Sequence, residues 1–267
     1  MKIAFVGGGR MCESIVTGIV SSSLAAPSDI SVGEPVEARR SALLNEHGVR
    51  VHADNAAAIA GAELVVLSVK PQSLGSVLPS LGRALSSGQA LASIVAGARM
   101  RSIADATGHQ AVIRVMPNTP AQIGAGISVW TAAPEVTDDQ REAARSVVAT
   151  LGEEVYVESE DLIDMATALS ASGPAYVFTF VEALVDAGVS IGMSRDLAGQ
   201  LAIETVLGSA RMAKETGTHP AELRNMVTSP GGTTAAALLE LERGRLRHTV
   251  MGAVAAAYRR SKELVDG

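Results

Sequence analysis

The glycine-rich segment near the start of the chain is its most constraining feature. Gly7, Gly8 and Gly9 directly follow an apolar, β-rich segment at Ile3–Val6 and precede a helical pattern at residues 11–18. A glycine at the end of a strand permits a tight turn into a helix, and a second one lets the backbone approach a pyrophosphate. The N–H groups and dipole of the helix start then stabilise the anion. The sequence therefore predicts a strand–loop–helix unit that binds a dinucleotide.

The first half of the sequence alternates short apolar runs with helical patterns. The β-rich runs lie at residues 3–6, 30–32, 64–69, 90–95 and 112–115. Such near-continuous apolar runs are typical of a buried parallel sheet, whose strands are joined by right-handed helical crossovers. We further predict an edge strand at 127–130, a helix that begins with a capping box of Thr137 and Gln140, and a last strand at 155–157.

After about residue 159 the alternation stops, and long helical patterns continue to the end of the chain. The predicted helices cover residues 162–169, 175–188, 196–214, 221–226, 234–242 and 249–264. Ser194 is the predicted N-cap of one helix, and Gly217 is its predicted end. The sequence therefore predicts an α/β domain with a Rossmann-type parallel sheet at residues 1–158, followed by an all-α domain at residues 159–267.

Two helical segments, residues 235–241 and 253–257, are apolar around nearly their whole circumference. One small helical domain does not bury that much apolar surface internally. We therefore expect a second copy of the chain to cover part of it. Charged residues such as Asp161 and Asp164 are instead expected on a solvated helix face.

Composition excludes several classes of protein. The net charge of −6, with dispersed Lys and Arg, argues against a nucleic-acid partner. The one cysteine, Cys12, is expected to be a buried packing thiol, and neither disulfides nor a metal site are predicted. We expect a cytoplasmic protein without a membrane partner, since no export signal is recognised and no apolar run reaches the ~18 residues of a membrane span.

An acidic residue, Glu34, follows the second predicted strand, near the ~20-residue spacing at which an acid hydrogen-bonds the ribose of NAD. Its carboxylate would repel a 2′-phosphate, whereas Arg39 and Arg40, about a turn later, would attract one. The choice between NADH and NADPH is therefore balanced, with a slight preference for NADH. The alternative that all three are solvated charges at a helix end stays open.

Two further loops are predicted at the carboxyl ends of strands, where ligands of parallel sheets bind. Lys70 and Pro71 follow the third apolar run, and Lys70 is expected to point toward the cofactor. Ala96 and Gly97 follow the fourth run, where small residues leave room for a flat ring.

A rigid loop follows the fifth run. Its sequence is Met116, Pro117, Asn118, Thr119 and Pro120, with a polar pair between two prolines. We predict that Met116, Pro117 and Asn118 line the same cofactor site. An Asn-centred turn without a binding role is the alternative.

A Ser-Pro-Gly-Gly-Thr-Thr turn at residues 229–234 opens an apolar helix. Exposed N–H groups at a helix start bind anions, so the turn is a predicted carboxylate cradle. The predicted cradle consists of Ser229, Gly231, Gly232 and Thr233. Thr234 is placed to aim its hydroxyl at a polar atom of the bound molecule. An elaborate N-cap is the alternative, although a cap explains one hydroxyl rather than three.

These motifs, in this order, resemble those of the pyrroline-5-carboxylate reductases over the whole length of the chain. The matching segments are Gly-Gly-Gly-Arg-Met at 7–11, Val-Lys-Pro at 69–71, Met-Pro-Asn-Thr-Pro at 116–120, Ser-Gly-Pro-Ala-Tyr at 172–176 and the turn at 229–234. The last segment resembles the signature of that family. Arg10, Cys12 and Ala171 depart from the usual residues of the family, and none of these departures removes a proposed reactive group.

The resemblance implies reduction of 1-pyrroline-5-carboxylate to L-proline with NADPH or NADH, the last step of proline biosynthesis. It implies a helical domain that interlocks homodimers, often assembled further into decamers. By resemblance, the glycine loop through Arg10 and Met11 binds the cofactor. Asn55 and Lys70 also contact the cofactor, and Thr234 hydrogen-bonds the substrate nitrogen.

The chemistry implied by this resemblance needs few reactive side chains. A protonated cyclic imine is already electrophilic at carbon, so a well-placed hydride matters more than a strong acid or base. Thr234 is the predicted catalytic residue, which orients or protonates the nitrogen. A β-hydroxyacid-type dehydrogenase is one alternative, but it needs a catalytic Lys, and no Lys occurs between Gly173 and Ala213. A non-catalytic, cofactor-binding oligomeric protein is the other.

Overall fold

The computed structural model describes residues 1–266, with side chains through residue 263. The chain folds into two compact units. The first unit comprises Met1–Ser172 together with the end of the chain from Ala257, and the second comprises Gly173–Ala256. The predicted domain boundary between residues 158 and 159 does not coincide with this division, and it stays a prediction.

The core of the first unit is an eight-stranded sheet. Its strands are β1 (Ile3–Val6), β2 (Ile30–Gly33), β3 (Arg50–His52), β4 (Leu64–Leu67), β5 (Ala90–Ser93), β6 (Val112–Met116), β7 (Gly126–Ala132) and β8 (Gly152–Tyr156). They lie in the order β3-β2-β1-β4-β5-β6-β7-β8, and every neighbouring pair is parallel except β6 and β7. Because the strand order reverses between β1 and β4, a ligand crevice is expected at the carboxyl ends of these two strands.

Helices cover both faces of this sheet. They are α1 (Arg10–Ser21), α2 (Glu37–His47), α3 (Asn55–Ile59), α4 (Leu74–Ala84), α5 (Met100–Thr107) and α6 (Asp138–Ala149). Ile3 and Phe5 of β1 pack into one apolar cluster, and the alternating residues Ala4 and Val6 pack into another. Because all four are buried, β1 reads as a continuous apolar run in the sequence. The predicted Rossmann-type sheet is confirmed.

Several details of the sheet differ from the prediction. Strands β4 and β5 each end two residues earlier than predicted, and β8 begins three residues earlier and ends one residue earlier. The edge strand β3 was not expected, because Arg50–His52 is short and only partly buried, and it carries no apolar run. The prediction of an edge strand at 127–130 is wrong, because β7 pairs with β6 on one side and with β8 on the other. The capping box that begins α6 is confirmed, since Thr137 Oγ1 accepts from the Gln140 N–H and Gln140 Oε1 from the Thr137 N–H.

The helical part follows the predicted pattern closely. Its elements are α7 (Asp161–Ala166), a π-helical segment at Thr167–Ala171, α8 (Gly173–Ser190), α9 (Arg195–Thr216), α10 (Pro220–Met226), α11 (Thr233–Arg243) and α12 (Leu246–Asp266). Ser194 caps α9 by accepting from the Leu197 N–H at 3.3 Å, and Gly217 ends that helix in the left-handed region with φ of +62°. Both capping predictions are confirmed.

Much apolar surface of the second unit is exposed in a single chain. Phe178, Leu207 and Met251 are 61%, 58% and 72% exposed. The helical stretch Asp161–Ser190 is long and apolar enough to cross a membrane by length and composition alone, which corrects the expectation that no run reaches that length. One such helix is weak evidence for a membrane span, because a helix at a subunit interface also has an apolar composition.

Candidate cofactor and substrate sites

The glycine loop closes against two neighbouring strands. The Gly7 N–H donates to the Gly33 carbonyl at 2.8 Å, and the Ser68 hydroxyl donates to the Gly7 carbonyl at 2.8 Å. Gly7 has φ of +100°, and a Cβ there would lie 2.9 Å from the Ser68 carbonyl oxygen. Both the backbone conformation and the close packing therefore require glycine at this position.

The start of α1 is built to receive an anion. Gly9 is its N-cap, and in the described part of the chain no side chain caps this helix. A Cβ added to Gly9 would meet no non-neighbouring heavy atom of the described residues within 4 Å. The first turn, which begins with Arg10 and Met11, therefore has no capping side chain and has open space beside its N-cap glycine, so this positive helix end is a candidate anion site.

Cys12 lies in the same helix turn but plays a packing role, as predicted. Its side chain is completely buried within the apolar cluster under α1. Burial raises the pKa of this thiol far above its usual range, although Arg39 acts in the opposite direction. A thiol held neutral is a poor nucleophile.

The predicted ribose-binding acid lies directly against the glycine loop. One carboxylate oxygen of Glu34 accepts from the Gly8 N–H at 2.8 Å, and the other accepts from the Val36 N–H at 2.9 Å. These two backbone bonds fix the carboxylate beside the loop that follows β1. An acid at this place is suited to hold a ribose diol.

The two arginines of α2 are also held by specific contacts. Arg39 Nη2 donates to the Gly8 carbonyl at 2.8 Å and to Glu13 Oε2 at 3.0 Å. Arg40 Nη1 donates to the carbonyls of Glu34 and Pro35 at 2.8 and 2.7 Å. All three side chains, those of Glu34 and the two arginines, are therefore partly buried and held by specific contacts, and their role toward the cofactor stays a prediction. The partnership between Arg39 and Glu13 was missed, because no sequence pattern links two side chains 26 residues apart.

Asn55 and Lys70 occupy further positions near the carboxyl ends of strands. Asn55 is the first residue of α3, and a Cβ on Gly33 would overlap its side-chain oxygen. Lys70 is exposed and precedes a single 3₁₀ turn that begins at Pro71. Because β4 ends at Leu67 rather than at residue 69, Lys70 belongs to the loop beyond the strand.

The last two predicted cofactor loops follow β5 and β6. Ala96 and Gly97 are half-buried, and Gly97 has φ of +76°. Met116 is the final residue of β6, and Pro117 after it is buried. The side-chain oxygen of Asn118 accepts from the Ile127 N–H at 2.9 Å, so this residue anchors the start of β7. Asn118 therefore has a structural contact, and whether its loop also binds the cofactor stays a prediction.

The Ser-Pro-Gly-Gly-Thr-Thr turn belongs to the second unit. Gly232 is the N-cap of α11, and no side chain of the described residues caps that helix. Gly231 has φ of +71°, and the Gly232 N–H donates to the Ser229 carbonyl at 3.1 Å. Thr233 and Thr234 are the first two residues of the helix. The alternative of an elaborate N-cap is therefore wrong, and the helix start remains a place for an anion.

One group of three metal-type ligands occurs among the described residues. It consists of Glu13, Glu46 and His47, whose ligand atoms lie within 4.8 Å of one another. Arg39 is 3.0 Å from Glu13, and its positive charge opposes a cation at this place. The group therefore carries no metal assignment.

Comparisons with known families and relatives agree along the whole chain. Residues 160–264 match the family described as pyrroline-5-carboxylate reductase dimerisation, and residues 2–97 match the family described as NADP oxidoreductase coenzyme F420-dependent. The chain is 43% identical to the pyrroline-5-carboxylate reductase of Synechocystis sp., over 99% of this chain and 98% of that protein. It is 39% identical to the reductase of Arabidopsis thaliana, over 98% and 95% of the two chains.

Solved structures give the same result. A pyrroline-5-carboxylate reductase from Coxiella burnetii has a TM-score of 0.91 and 38% identity, covering 98% of each chain. The Plasmodium falciparum pyrroline carboxylate reductase, solved with NADP bound, has a TM-score of 0.91 and 30% identity, covering 99% of this chain and 98% of that one. Both likenesses include the sheet and the helical segments.

Proposed function

The chain belongs to the pyrroline-5-carboxylate reductase family, and from this premise we propose that it reduces 1-pyrroline-5-carboxylate to L-proline with NADPH or NADH. The observation that carries this proposal is the match along the entire chain, which includes both the glycine loop and the Ser-Pro-Gly-Gly-Thr-Thr turn. An oxidoreductase of this kind performs the last step of proline biosynthesis.

The glycine loop is the proposed pyrophosphate site. Gly7, Gly8 and Gly9 bring the backbone close to the ligand, and the N–H groups at Arg10 and Met11 face its charge. The uncapped helix start and the open space over Gly9 support this assignment. Both features fit a dinucleotide, because a methyl group or a capping side chain would compete with the anion.

The adenosine and nicotinamide ends have separate proposed contacts. Glu34 holds the ribose, and Asn55 with Lys70 and Pro71 continues the site along neighbouring strand ends. The proposed nicotinamide loops consist of Ala96, Gly97, Met116, Pro117 and Asn118. Support for both comes from their position at or beyond the carboxyl ends of parallel strands.

The substrate residues act by binding and orientation. The bound nicotinamide supplies a hydride to the electrophilic imine carbon. Backbone N–H groups from Gly231 to Thr233, with Ser229 beside them, hold the carboxylate at the start of α11. The Thr234 hydroxyl holds the ring nitrogen and either orients it or gives it a proton. Placement of the two reacting carbons then provides much of the rate.

The proposed assembly is a homodimer made by the helical part of the chain, with decamers as a further stage. Its support is the match of residues 160–264 to the dimerisation family and the exposed apolar side chains of the second unit. A cytoplasmic location follows from the proposed metabolic role.

The test is loss of reduced-nicotinamide absorbance on adding 1-pyrroline-5-carboxylate, measured in parallel with NADH and NADPH. Turnover that yields L-proline supports the proposal, and the faster cofactor identifies the physiological donor. A folded protein that binds the dinucleotide but gives no turnover with either would contradict the proposal. That result would favour a dehydrogenase of another substrate or a non-catalytic oligomer.

A further inference from the structure

A fully buried arginine ties strand β6 to helix α7. Arg114 Nη2 lies 2.7 Å from Asp164 Oδ1, and Arg114 Nη1 lies 3.1 Å from Glu160 Oε1. The side chains of Arg114 and Asp164 are 0% and 1% exposed. The prediction that Asp164 lies on a solvated helix face is therefore wrong. The sequence around Asp164 does not reveal its partner, because Arg114 lies 50 residues earlier in the chain.

A second arginine extends this cluster to helix α5. Arg99 Nη2 lies 2.8 Å from Asp164 Oδ2, and Arg99 Nη1 lies 2.8 Å from Asp161 Oδ1. Glu160 Oε1 also accepts from the Met100 N–H at 2.8 Å. Because α5 has no cap of its own at Arg99, Glu160 provides that cap from another segment. We call these five charged residues, Arg99, Arg114, Glu160, Asp161 and Asp164, the ion cluster; Arg114 and Asp164 are its buried centre, whereas Asp161 is exposed.

The ion cluster holds the two proposed nicotinamide loops. Arg99 stands two residues after Gly97, and Arg114 stands two residues before Met116. Each loop therefore has one end fixed to α7 by a charged contact. Asp164 contacts both Arg99 and Arg114. Among the described residues, no other charged side chain that contacts both arginines is buried as deeply.

The cluster is a costly way to stabilise a fold. Two charged groups must lose their water, and apolar side chains of similar volume usually stabilise a protein core as well or better. The Arg114 Nε and the Asp164 Oδ2 are also buried without a hydrogen-bond partner among the described residues, so Arg99 Nη2 contacts Asp164 Oδ2 as an ion pair without hydrogen-bond geometry. An orphaned buried donor adds to that cost. Charged hydrogen bonds are directional, so they fix the orientation of the elements that they join, which apolar packing does not.

We propose that Arg99 and Arg114, through Asp164, are positioning residues for hydride transfer. They set the loops after β5 and β6 so that the nicotinamide ring is presented at the right place to the imine carbon. Hydride transfer depends steeply on that placement. The proposed contacts of the pyrophosphate with the glycine loop and of the ribose with Glu34 lie outside these two loops, so we expect dinucleotide affinity to depend less on the ion cluster. The inference rests on the proposed function of these loops.

The main test replaces the buried pair by apolar residues of similar volume in the full-length protein, with Arg114→Met and Asp164→Leu combined. We expect the melting temperature and the dinucleotide dissociation constant to stay close to those of the wild type. We expect kcat to fall by about tenfold or more, because the ring is no longer held in position. The kinetic isotope effect with C4-deuterated cofactor is expected to rise, since hydride transfer becomes slower than the other steps.

A second variant guards against misfolding of the first. Arg99→Gln leaves the Arg114–Asp164 pair in place and loosens only the loop after β5, so a smaller fall in kcat with unchanged cofactor affinity is expected. The control combines Arg101→Gln with Asp105→Asn, an ion pair on the same helix α5 that is 92% and 72% exposed. The control variant should keep wild-type kinetics.

The outcomes separate this inference from the proposed function. Wild-type kcat and isotope effect in both test variants would overturn the positioning role and leave an ion cluster that is purely structural. A fall in kcat that is matched by a fall in cofactor affinity would also overturn it. A wild-type protein without turnover would instead contradict the proposed function itself.

Discussion

The carboxylate of Glu34 accepts a hydrogen bond from the backbone N–H of Gly8 at 2.8 Å. The carbonyl of the same glycine accepts from Arg39 Nη2 at 2.8 Å. One glycine of the glycine loop is therefore bonded both to an acid, whose charge would repel a 2′-phosphate, and to a base, whose charge would attract one. We propose that this pair of contacts governs the choice between NADH and NADPH.

Glu34→Gln is predicted to shift cofactor preference toward NADPH. The amide oxygen can still accept from one of the two backbone N–H groups, those of Gly8 and Val36, that the carboxylate binds, while the amide nitrogen cannot accept from the other. The charge that opposes the 2′-phosphate is gone. We expect the ratio of kcat/KM for NADPH to that for NADH to rise about tenfold, which corresponds to about 1.4 kcal/mol. Glu37→Gln makes the same charge change on an exposed residue of α2 and should leave the ratio as it is. An unchanged ratio in Glu34→Gln would remove this residue from cofactor selection.

Two alanine substitutions in the glycine loop are predicted to affect different properties, one the stability of the fold and the other dinucleotide binding. Gly7→Ala is expected to lower the free energy of unfolding by about 2 kcal/mol, because φ is +100° and the new Cβ meets the Ser68 carbonyl oxygen. Gly9→Ala meets open space and has an ordinary φ of −74°, so its stability should change little. Its new methyl group instead occupies the space proposed for the pyrophosphate.

Denaturant unfolding and dinucleotide titration of both variants check this pair. We expect about tenfold weaker dinucleotide binding for Gly9→Ala, equivalent to about 1.4 kcal/mol. Equal stability losses in the two variants, or wild-type binding by Gly9→Ala, would contradict the proposed loop geometry.

Sequence reasoning located the parts of the fold whose signal is local. Strands β1, β2, β4, β5 and β6 lie in the predicted apolar runs, and the caps at Thr137, Ser194 and Gly217 use residues within one helix turn. Strand β3 escaped detection because its three residues lie at an edge and need no apolar run.

Contacts between distant residues escaped prediction for a different reason. A charged residue on a helix looks solvated in the sequence whether or not a partner is folded against it, as Asp164 illustrates. The bonds of Glu13 to Arg39 and of Ser68 to Gly7 join segments 26 and 61 residues apart. The sequence predicts which loops bind the cofactor, and the folded chain shows which distant residues contact those loops.

Thr234→Val is predicted to impair catalysis without affecting cofactor binding. Valine keeps the shape of threonine and removes only the hydroxyl that is proposed to hold the substrate nitrogen. We expect kcat/KM for 1-pyrroline-5-carboxylate to fall about a hundredfold. Thr234→Ser, which keeps the hydroxyl, should recover most of the activity. Wild-type turnover by Thr234→Val would contradict the proposed role of the Thr234 hydroxyl in holding the substrate nitrogen.

The single tryptophan is predicted to report the ionisation of Glu154. Trp130 Nε1 donates to Glu154 Oε2 at 2.6 Å, and Arg145 Nε donates to Glu154 Oε1 at 2.8 Å. The tryptophan bond, followed by the arginine contact, holds the pKa of this carboxyl below its ordinary value of 4.5. The charged carboxylate therefore stabilises the folded state fully above pH 4.5, and this contribution is lost as pH falls through the lowered folded pKa.

Tryptophan fluorescence, measured as a function of pH, reports the ionisation of Glu154 directly. We expect a step in emission below pH 4.5 in the wild type, before global unfolding. Glu154→Gln cannot ionise and should give no such step. A step of equal size in that variant would assign the change to another group.

The central claim is direct hydride transfer to the imine carbon of 1-pyrroline-5-carboxylate. The most direct measurement supplies reduced cofactor deuterated at either position of nicotinamide C4 and analyses the product by mass spectrometry. We predict L-proline with one deuterium at carbon 5, the former imine carbon, from one of the two deuterated forms. Proline free of deuterium from both forms, or cofactor oxidation without proline, would contradict the account.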